Sequence, residues 1–203
     1  MSLLISEYHY FTPVTWFCGL SNPTHCIFYK YDEYRKMSFR NRCLIAGANG
    51  PMNLSVPIFG GRNVRTITTA VMIDNRLPWQ ANHWKSICSC YNHAPWFEEY
   101  SDGCREIFEL RFETLVDLNR FVFKWIISKL KIPLTWEEGE IPVEPGWLDY
   151  RNRFNPKLMR DKAGKVEYRQ VFQERTGFLP HLSVLDLLFC TGPRAGELLQ
   201  AEI

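Results

Sequence analysis

The sequence predicts an α/β chain, a mixed β-sheet from the N-terminal third covered by helices of the C-terminal two-thirds, with an α+β layout as the alternative. Three observations carry this expectation. The first seventy residues hold short β-branched and aromatic runs separated by Gly, Pro and Asn turns. Residues 114–131 form a long stretch with apolar residues at helical spacing. The chain has 203 residues, 46% of them hydrophobic, which is enough to build one core without disulfide staples. We therefore expect a single domain over 1–203.

The elements follow in order. Residues 8–11 read as a strand, 13–20 as a helix and 24–31 (THCIFYKY) as a second strand, together a βαβ unit. Residues 43–46 and 54–59 flank Gly47-Ala48-Asn49-Gly50-Pro51, a hairpin-type loop with Asn-Gly inside it. Leu54, Val56 and Ile58 alternate with polar neighbours, while Pro57 cannot donate to a ladder and puts that strand at an edge or a bulge. Gly60-Gly61 turns the chain into a further strand over 64–73, and we read Gly60-Gly61-Arg62 as a turn, since no phosphate-loop fingerprint surrounds it.

Pro78 suits a first helical turn, and Trp84, Ile87, Cys88 and Tyr91 fall on one face. Pro95 starts another short helix, with Glu98 and Glu99 near its positive end. In the helix over 114–131, Leu115, Leu118, Val122, Trp125 and Ile126 mark the inner stripe. Residues 132–167 change character. An acidic half with Glu137, Glu138, Glu140, Glu144 and Asp149 precedes a basic half with Arg151, Arg153, Lys157, Arg160, Lys162 and Lys165. Such a long connection reads as a lid or a solvated excursion. Ser183 and Asp186 then fit a capping box ahead of an apolar run, with Leu182 and Leu187 at staple positions. Gly192 suits the end of that helix and Pro193 the start of a last one.

Composition excludes several classes. A net charge of +2 is too balanced for a nucleic-acid glove, and we expect no nucleic-acid partner. The uncharged stretch 8–29 is interrupted by His9, Pro13, Asn22, Pro23 and His25, so it is not read as a membrane span. No basic residue precedes the short apolar run at the N-terminus, so no signal peptide is expected. The seven Cys lack a C-x-x-C pair, and no His, Cys or carboxylate set has metal-ligand spacing. Reduced, mostly buried cytoplasmic thiols are expected, with no cofactor and no metal.

Arg40-Asn41-Arg42 is the most attractive cluster. Two guanidinium groups can grip a phosphate or carboxylate, and in an extended segment they share one face. The competing reading is an ion pair with Asp186 or Asp117 beneath the sheet. His83 shares a helical face with Trp84 and Tyr91, and either packs in the core or handles protons at a pocket. Asp186 is either a capping partner of Ser183 or an acid that orients a substrate; no G-x-S-x-G elbow surrounds the serine. Asn119 lies near the stripe of the long helix, and Gln170 stands between Tyr168 and Phe172; both need partners if buried. The candidate set is therefore His83 and Asp186 as catalytic groups, with Arg40, Asn41, Arg42, Trp84, Tyr91, Asn119, Tyr168 and Gln170 as substrate contacts.

Several segments occur together. Residues 36–43 (KMSFRNRC) are followed by Gly47-Ala48-Asn49-Gly50-Pro51, then by Leu54-Ser55-Val56-Pro57, Trp79, His83-Trp84-Lys85, Tyr91, Pro95, Phe97 and Tyr100. Asp149-Tyr150-Arg151 and Pro156-Lys157 precede Tyr168-Arg169-Gln170-Val171-Phe172 and residues 177–189 (GFLPHLSVLDLLF). In this order and spacing the chain resembles the WbqC-like protein family over nearly its whole length. The resemblance implies a bacterial cytoplasmic protein connected with surface polysaccharide of the O-antigen type. Some positions depart from the family pattern. Tyr29 and Tyr31 stand where an acidic residue and a His are expected, Asn155 where a His is usual, His181 where an Asn is usual, and Cys190-Thr191 after Leu-Leu-Phe. Two functions follow from residues and resemblance together. One is a transferase-type enzyme acting on a phosphate-bearing sugar or amino-sugar precursor. The other is a non-catalytic binding or scaffold protein of the same pathway, which the altered positions favour.

Overall fold

The computed structural model describes residues 2–18, 20, 24–61, 66–143, 145–156 and 166–201. Asn22, Pro23, Arg62, the first two residues of the expected strand over 64–73, Glu144, Lys157, Arg160, Lys162 and Lys165 lie outside the described residues.

An α/β architecture is observed. Strand β1 (Ser2–Ser6) pairs in parallel with β2 (Thr24–Tyr29), and the one-turn helix α1 (Val14–Phe17) lies between them in sequence. The N-terminal βαβ unit is thus present, but its first strand lies earlier than the expected 8–11. Phe11 has φ of +44°, which breaks extended backbone there, and Tyr10 N–H is given to Phe39 O at 2.8 Å.

The hairpin β3 (Arg42–Gly47) and β4 (Gly50–Ser55) is antiparallel, with Gly47 opposite Gly50 and only Ala48-Asn49 in the turn. Gly50 has φ of +116°, a value that a side chain would disfavour. β4 lies earlier than the expected 54–59, shares only Leu54 and Ser55 with it, and takes in Pro51 opposite Ala46. The described part of the expected strand over 64–73 is instead a 3-10 turn (Thr68–Ala70) with isolated bridges. Both the amide and the hydroxyl of Thr68 donate to Asp32 O, at 2.8 and 2.9 Å, and curl the chain there.

Helices α2 (Trp79–Tyr91), α3 (Phe97–Glu109) and α4 (Leu115–Leu130) follow. The buried face of α2 is Trp79, His83, Ile87, Cys90 and Tyr91, with Trp84 and Cys88 on its flank. α3 is longer than expected. In α4 the Thr114 hydroxyl accepts Asp117 N–H at 3.2 Å and donates to Asp117 Oδ2 at 2.6 Å, and Lys131 closes the helix in left-handed backbone at φ +52°.

The stretch 132–167, read from sequence as a lid or excursion, contributes strands β5 (Leu134–Gly139) and β6 (Trp147–Asp149). Both are parallel to the first two, giving a four-stranded sheet in the order β5–β2–β1–β6. One face of it carries Leu4, Cys26 and Phe28 into the core. Phe28 stacks on Tyr8 at 3.8 Å and meets Phe123 of α4 edge-on at 4.8 Å, and Trp16 closes the cluster. After the single turn α5 (Gln173–Thr176), the chain ends in α6 (Val184–Thr191) and α7 (Ala195–Gln200). The segment entering α6 is sewn to both ends of the fold. Val184 N–H goes to Thr12 O at 2.9 Å and Ser183 N–H to Leu44 O at 2.7 Å. All seven cysteines are free thiols, and five of them are buried. Among the described residues no helix is long and apolar enough to cross a membrane.

Candidate functional site

The polar side chains singled out by sequence fall into three groups, and the first lies at the carboxyl edge of the parallel sheet. Glu7 follows β1 directly and is buried, as are His9 and Arg40. Arg40 sits in a turn ahead of β3 rather than in extended backbone. Its guanidinium is fully buried and ion-paired with Asp32, donates to Asn152 Oδ1 at 3.0 Å, and lies 3.4 Å from Glu7 Oε1. Glu7 also accepts Asn152 N–H at 3.0 Å, and His9 Nε2 lies 3.4 Å from it. Burial pushes the Glu7 carboxyl up. The hydrogen bond and charge of His9, the charge of Arg40 and the Asn152 amide outweigh that and hold it below the usual range. Asn119 joins the group through backbone, since its Nδ2 donates to Arg40 O at 2.7 Å. The pair of arginines on one face, expected from an extended segment, is therefore not formed. Arg40 turns inward to carboxylates, and those are Glu7 and Asp32 rather than Asp186 or Asp117.

Arg42 is separate from this network. It lines a cavity of about 600 Å³ together with Lys36, Asn41, Ile58, Asp74 and Leu77. Asp74 is engaged by Arg76 through two contacts of 2.7 Å. Arg42 is half-buried, has no ion-pair partner among the described residues, and leaves its buried Nε without a hydrogen bond. Asn41 Nδ2 donates to Val56 O at 2.9 Å, whereas its buried Oδ1 accepts nothing. A half-buried cation beside an unused acceptor suits a ligand with an anionic group and hydroxyls.

The third group is a buried carboxylate under two tyrosines. Asp186 in α6 accepts Tyr91 O–H at 2.8 Å and Tyr168 O–H at 2.7 Å. Tyr91 Oη in turn accepts Ala46 N–H at 2.9 Å, tying α2, α6 and the hairpin together. Gln170 clasps Leu179 through both backbone atoms, at 2.8 and 2.9 Å, and its Nε2 lies 3.4 Å from Tyr168 Oη. Burial pushes the Asp186 carboxyl up to about 6, against the pull of hydrogen bonds from Tyr168, Tyr91 and Gln170. The expected capping box is absent. The Asp186 carboxylate goes to the tyrosines, and Ser183 Oγ is buried without a hydrogen bond. Thr114 caps α4 instead, its hydroxyl bonding both the amide and the carboxylate of Asp117.

His83 lies apart from all three groups. Its Nδ1 shares a 2.9 Å hydrogen bond with Tyr10 O–H, and Trp79 and Phe108 close its other sides. Burial pushes it down to about 4, partly opposed by a hydrogen bond with the Ser55 backbone, so it is neutral near pH 7. Trp84 stacks on Phe97 at 6.2 Å as a packing residue. Tyr91, Tyr168, Gln170 and Asp186 are brought together; Arg40 joins Asn119; Arg42 joins Asn41; His83 and Trp84 join none of these groups. Sequence reasoning missed Glu7, His9, Asp32 and Asn152. Only the correct position of β1 puts Glu7 at a strand end, where polar groups of α/β proteins gather. Among the described residues no group of three or more His, Cys, Asp or Glu is placed to hold a metal ion.

Comparison with known proteins gives the lineage. The family model described as "WbqC-like protein family" matches residues 9–141, and the chain belongs to that family. "Uncharacterized protein Rv1507c" of Mycobacterium tuberculosis (strain ATCC 25618 / H37Rv) is 26% identical over 205 aligned positions, which cover 86% of this chain and 87% of that protein. No solved structure matches the chain significantly.

Proposed function

We propose that this WbqC-like protein is an enzyme acting on a small phosphate- or carboxylate-bearing substrate, a sugar or amino-sugar precursor of surface polysaccharide, held by its anionic group at Arg42. The observation that carries the reading is the half-buried Arg42 guanidinium, without an ion-pair partner among the described residues, on a cavity of about 600 Å³ that Lys36 also lines. Burial of that cation without a carboxylate is unfavourable, and an incoming anion relieves it. Asn41 Oδ1 supplies an acceptor for a hydroxyl, while Ile58 and Leu77 supply apolar wall. The link to polysaccharide rests on the family's naming context, and the transferase character on the class of substrate.

A second reading is a binding or scaffold protein of the same pathway. One observation favours it: neither His83 nor Asp186 is among the residues lining this cavity. Calorimetry with N-acetylglucosamine 1-phosphate, UDP-N-acetylglucosamine and inorganic phosphate tests the shared part. Arg42→Ala removes charge-assisted hydrogen bonds of about 1.5–3 kcal/mol, so Kd should rise by roughly 10- to 100-fold. No binding of any of the three, or equal binding by Arg42→Ala, overturns the anion site. Turnover of a bound sugar phosphate with an acyl or amino donor separates enzyme from scaffold.

A further inference from the structure

The strand order β5–β2–β1–β6 has a functional corollary. The chain steps outward from β1 to β2 and on to β5, then returns across β1 to lay down β6 on the other side. The direction of winding therefore reverses between β1 and β6. In open parallel sheets the carboxyl ends of the strands beside such a reversal open a crevice that binds ligands.

Here that crevice is built from matched parts. Register puts Ile5 beside Ile27 and Asp149, so Tyr29, Trp147 and Asp149 project to the sheet face shared by Ile5 and Ile27, opposite the Phe28 core. Tyr29 and Trp147 come from strands on either side of β1. The Arg151 guanidinium lies 5.4 Å from the Tyr29 ring centre and 6.0 Å from that of Trp147, so the group runs across the face of β1, from Trp147 opposite Leu3 to Tyr29 just beyond the level of Ser6. Asp149 holds it flat through two hydrogen bonds of 3.0 and 2.9 Å. Tyr29 and Trp147 are half-buried, leaving ring surface open, and Tyr31 stands edge-on to Tyr29 at 5.8 Å with 52% of its surface exposed. Below this platform lies the Asp32–Arg40–Glu7–Asn152 network. One Asp32 oxygen carries Arg40 and the other has no partner among the described residues; the buried Arg40 Nε is likewise unused.

We infer that the sheet face over β1, between Tyr29 of β2 and Trp147 of β6, is a binding site for an uncharged sugar ring, a hexose or N-acetylhexosamine, distinct from the Arg42 cavity. Charge decides against a second anion. The Arg40 and Arg151 guanidinium groups are already held by Glu7, Asp32 and Asp149, so neither is free to take up an anion. Flat aromatic and guanidinium surface suits the C–H face of a sugar, and interleaved carboxylate, guanidinium and amide groups suit its hydroxyls, which both donate and accept.

Saturation-transfer difference NMR on the full chain tests this, with free glucose, galactose, mannose and N-acetylglucosamine at millimolar concentration. These probes carry no charge, so the outcome is independent of the anion site. Transfer to sugar ring protons is expected for at least one of them. It should fall to background in Tyr29→Ala and Trp147→Ala and persist in Arg42→Ala. Both aromatic residues are half-exposed, so the variants should fold, and Arg151→Lys is a third variant that keeps the charge but loses the flat fork. No transfer to any of the four sugars overturns the inference. So does transfer that survives both aromatic substitutions. Transfer to the base of uridine monophosphate with none to free sugars assigns the platform to a nucleobase and also overturns it.

Discussion

Replacing Asp186 by Asn should change the pH dependence of stability by a calculable amount. The carboxyl is held at about 6 in the folded protein against an ordinary 3.8, a rise of about 2 units or roughly 3 kcal/mol. The sign follows from proton counts. Between pH 4 and 6 the folded state keeps this proton while the unfolded state has lost it. The Asp186 contribution is therefore fully present below pH 4 and is lost as pH rises through 6, at up to about 1.4 kcal/mol per unit. His83 works the other way. Its folded value of about 4 lies below the ordinary 6.5, so its contribution is present above pH 6.5 and lost as pH falls toward 4. The two slopes oppose each other in the native protein and partly cancel. Urea denaturation from pH 4 to 8, read as native minus Asp186→Asn, removes the His83 share. The difference should fall by about 3 kcal/mol between pH 4 and 6.5 and then stay level. Tyr168→Phe takes one donor from the carboxylate, so its transition should lie at higher pH. A difference flat across the range would refute the reasoning. It would mean that the two tyrosine hydroxyls stabilise the carboxylate as well as water does.

Three further outcomes follow from the same structure. Arg40→Ala takes the guanidinium from Asp32 and leaves the buried Glu7 with only His9 and the Asn152 amide, and should cost about 3–5 kcal/mol by urea denaturation; a loss below about 1 kcal/mol would show the network to be dispensable. Thr114→Ala should cost about 1 kcal/mol through its cap, while Ser183→Ala, whose hydroxyl has no hydrogen bond, should be neutral or mildly stabilising; the reverse order in thermal melts would restore the cap to Ser183. Gly192→Ala puts a Cβ into the Trp96 ring at a backbone φ of +59° and should cost about 3 kcal/mol, which calorimetric melting would detect as a clear drop in Tm.

What could be read in the sequence was what local chemistry decides. The helix over 115–130 was legible because Leu115, Leu118, Val122 and Ile126 recur at helical spacing along it. The hairpin turn was legible from Asn49-Gly50, but its second strand, expected at 54–59, forms at 50–55. The edge strands β5 and β6 were not legible. Their residues are acidic, with Pro and Gly nearby, and they join the sheet through backbone hydrogen bonds that leave little mark on side-chain pattern. Site residues failed in a different way. Arg40 and Arg42 look equivalent two positions apart, yet one meets Glu7 from 33 positions earlier and the other faces a cavity. Asp186 beside Ser183 satisfies a capping pattern, and Tyr91, 95 positions earlier, overrides it with a stronger partner. Long-range partners of polar side chains are not encoded by spacing.

The way the parallel sheet is stitched together bears on how the chain is made. Its two central strands are synthesised before their outer neighbours, β5 and β6, which come more than a hundred residues later. Until residue 139 has been synthesised β2 has no outer neighbour, and β1 has none until residue 149, so their free rims can pair with other nascent chains. Contacts this distant close slowly, so a fragment ending before residue 134 should collect in insoluble material, and holdase chaperones should engage the growing polypeptide during that interval.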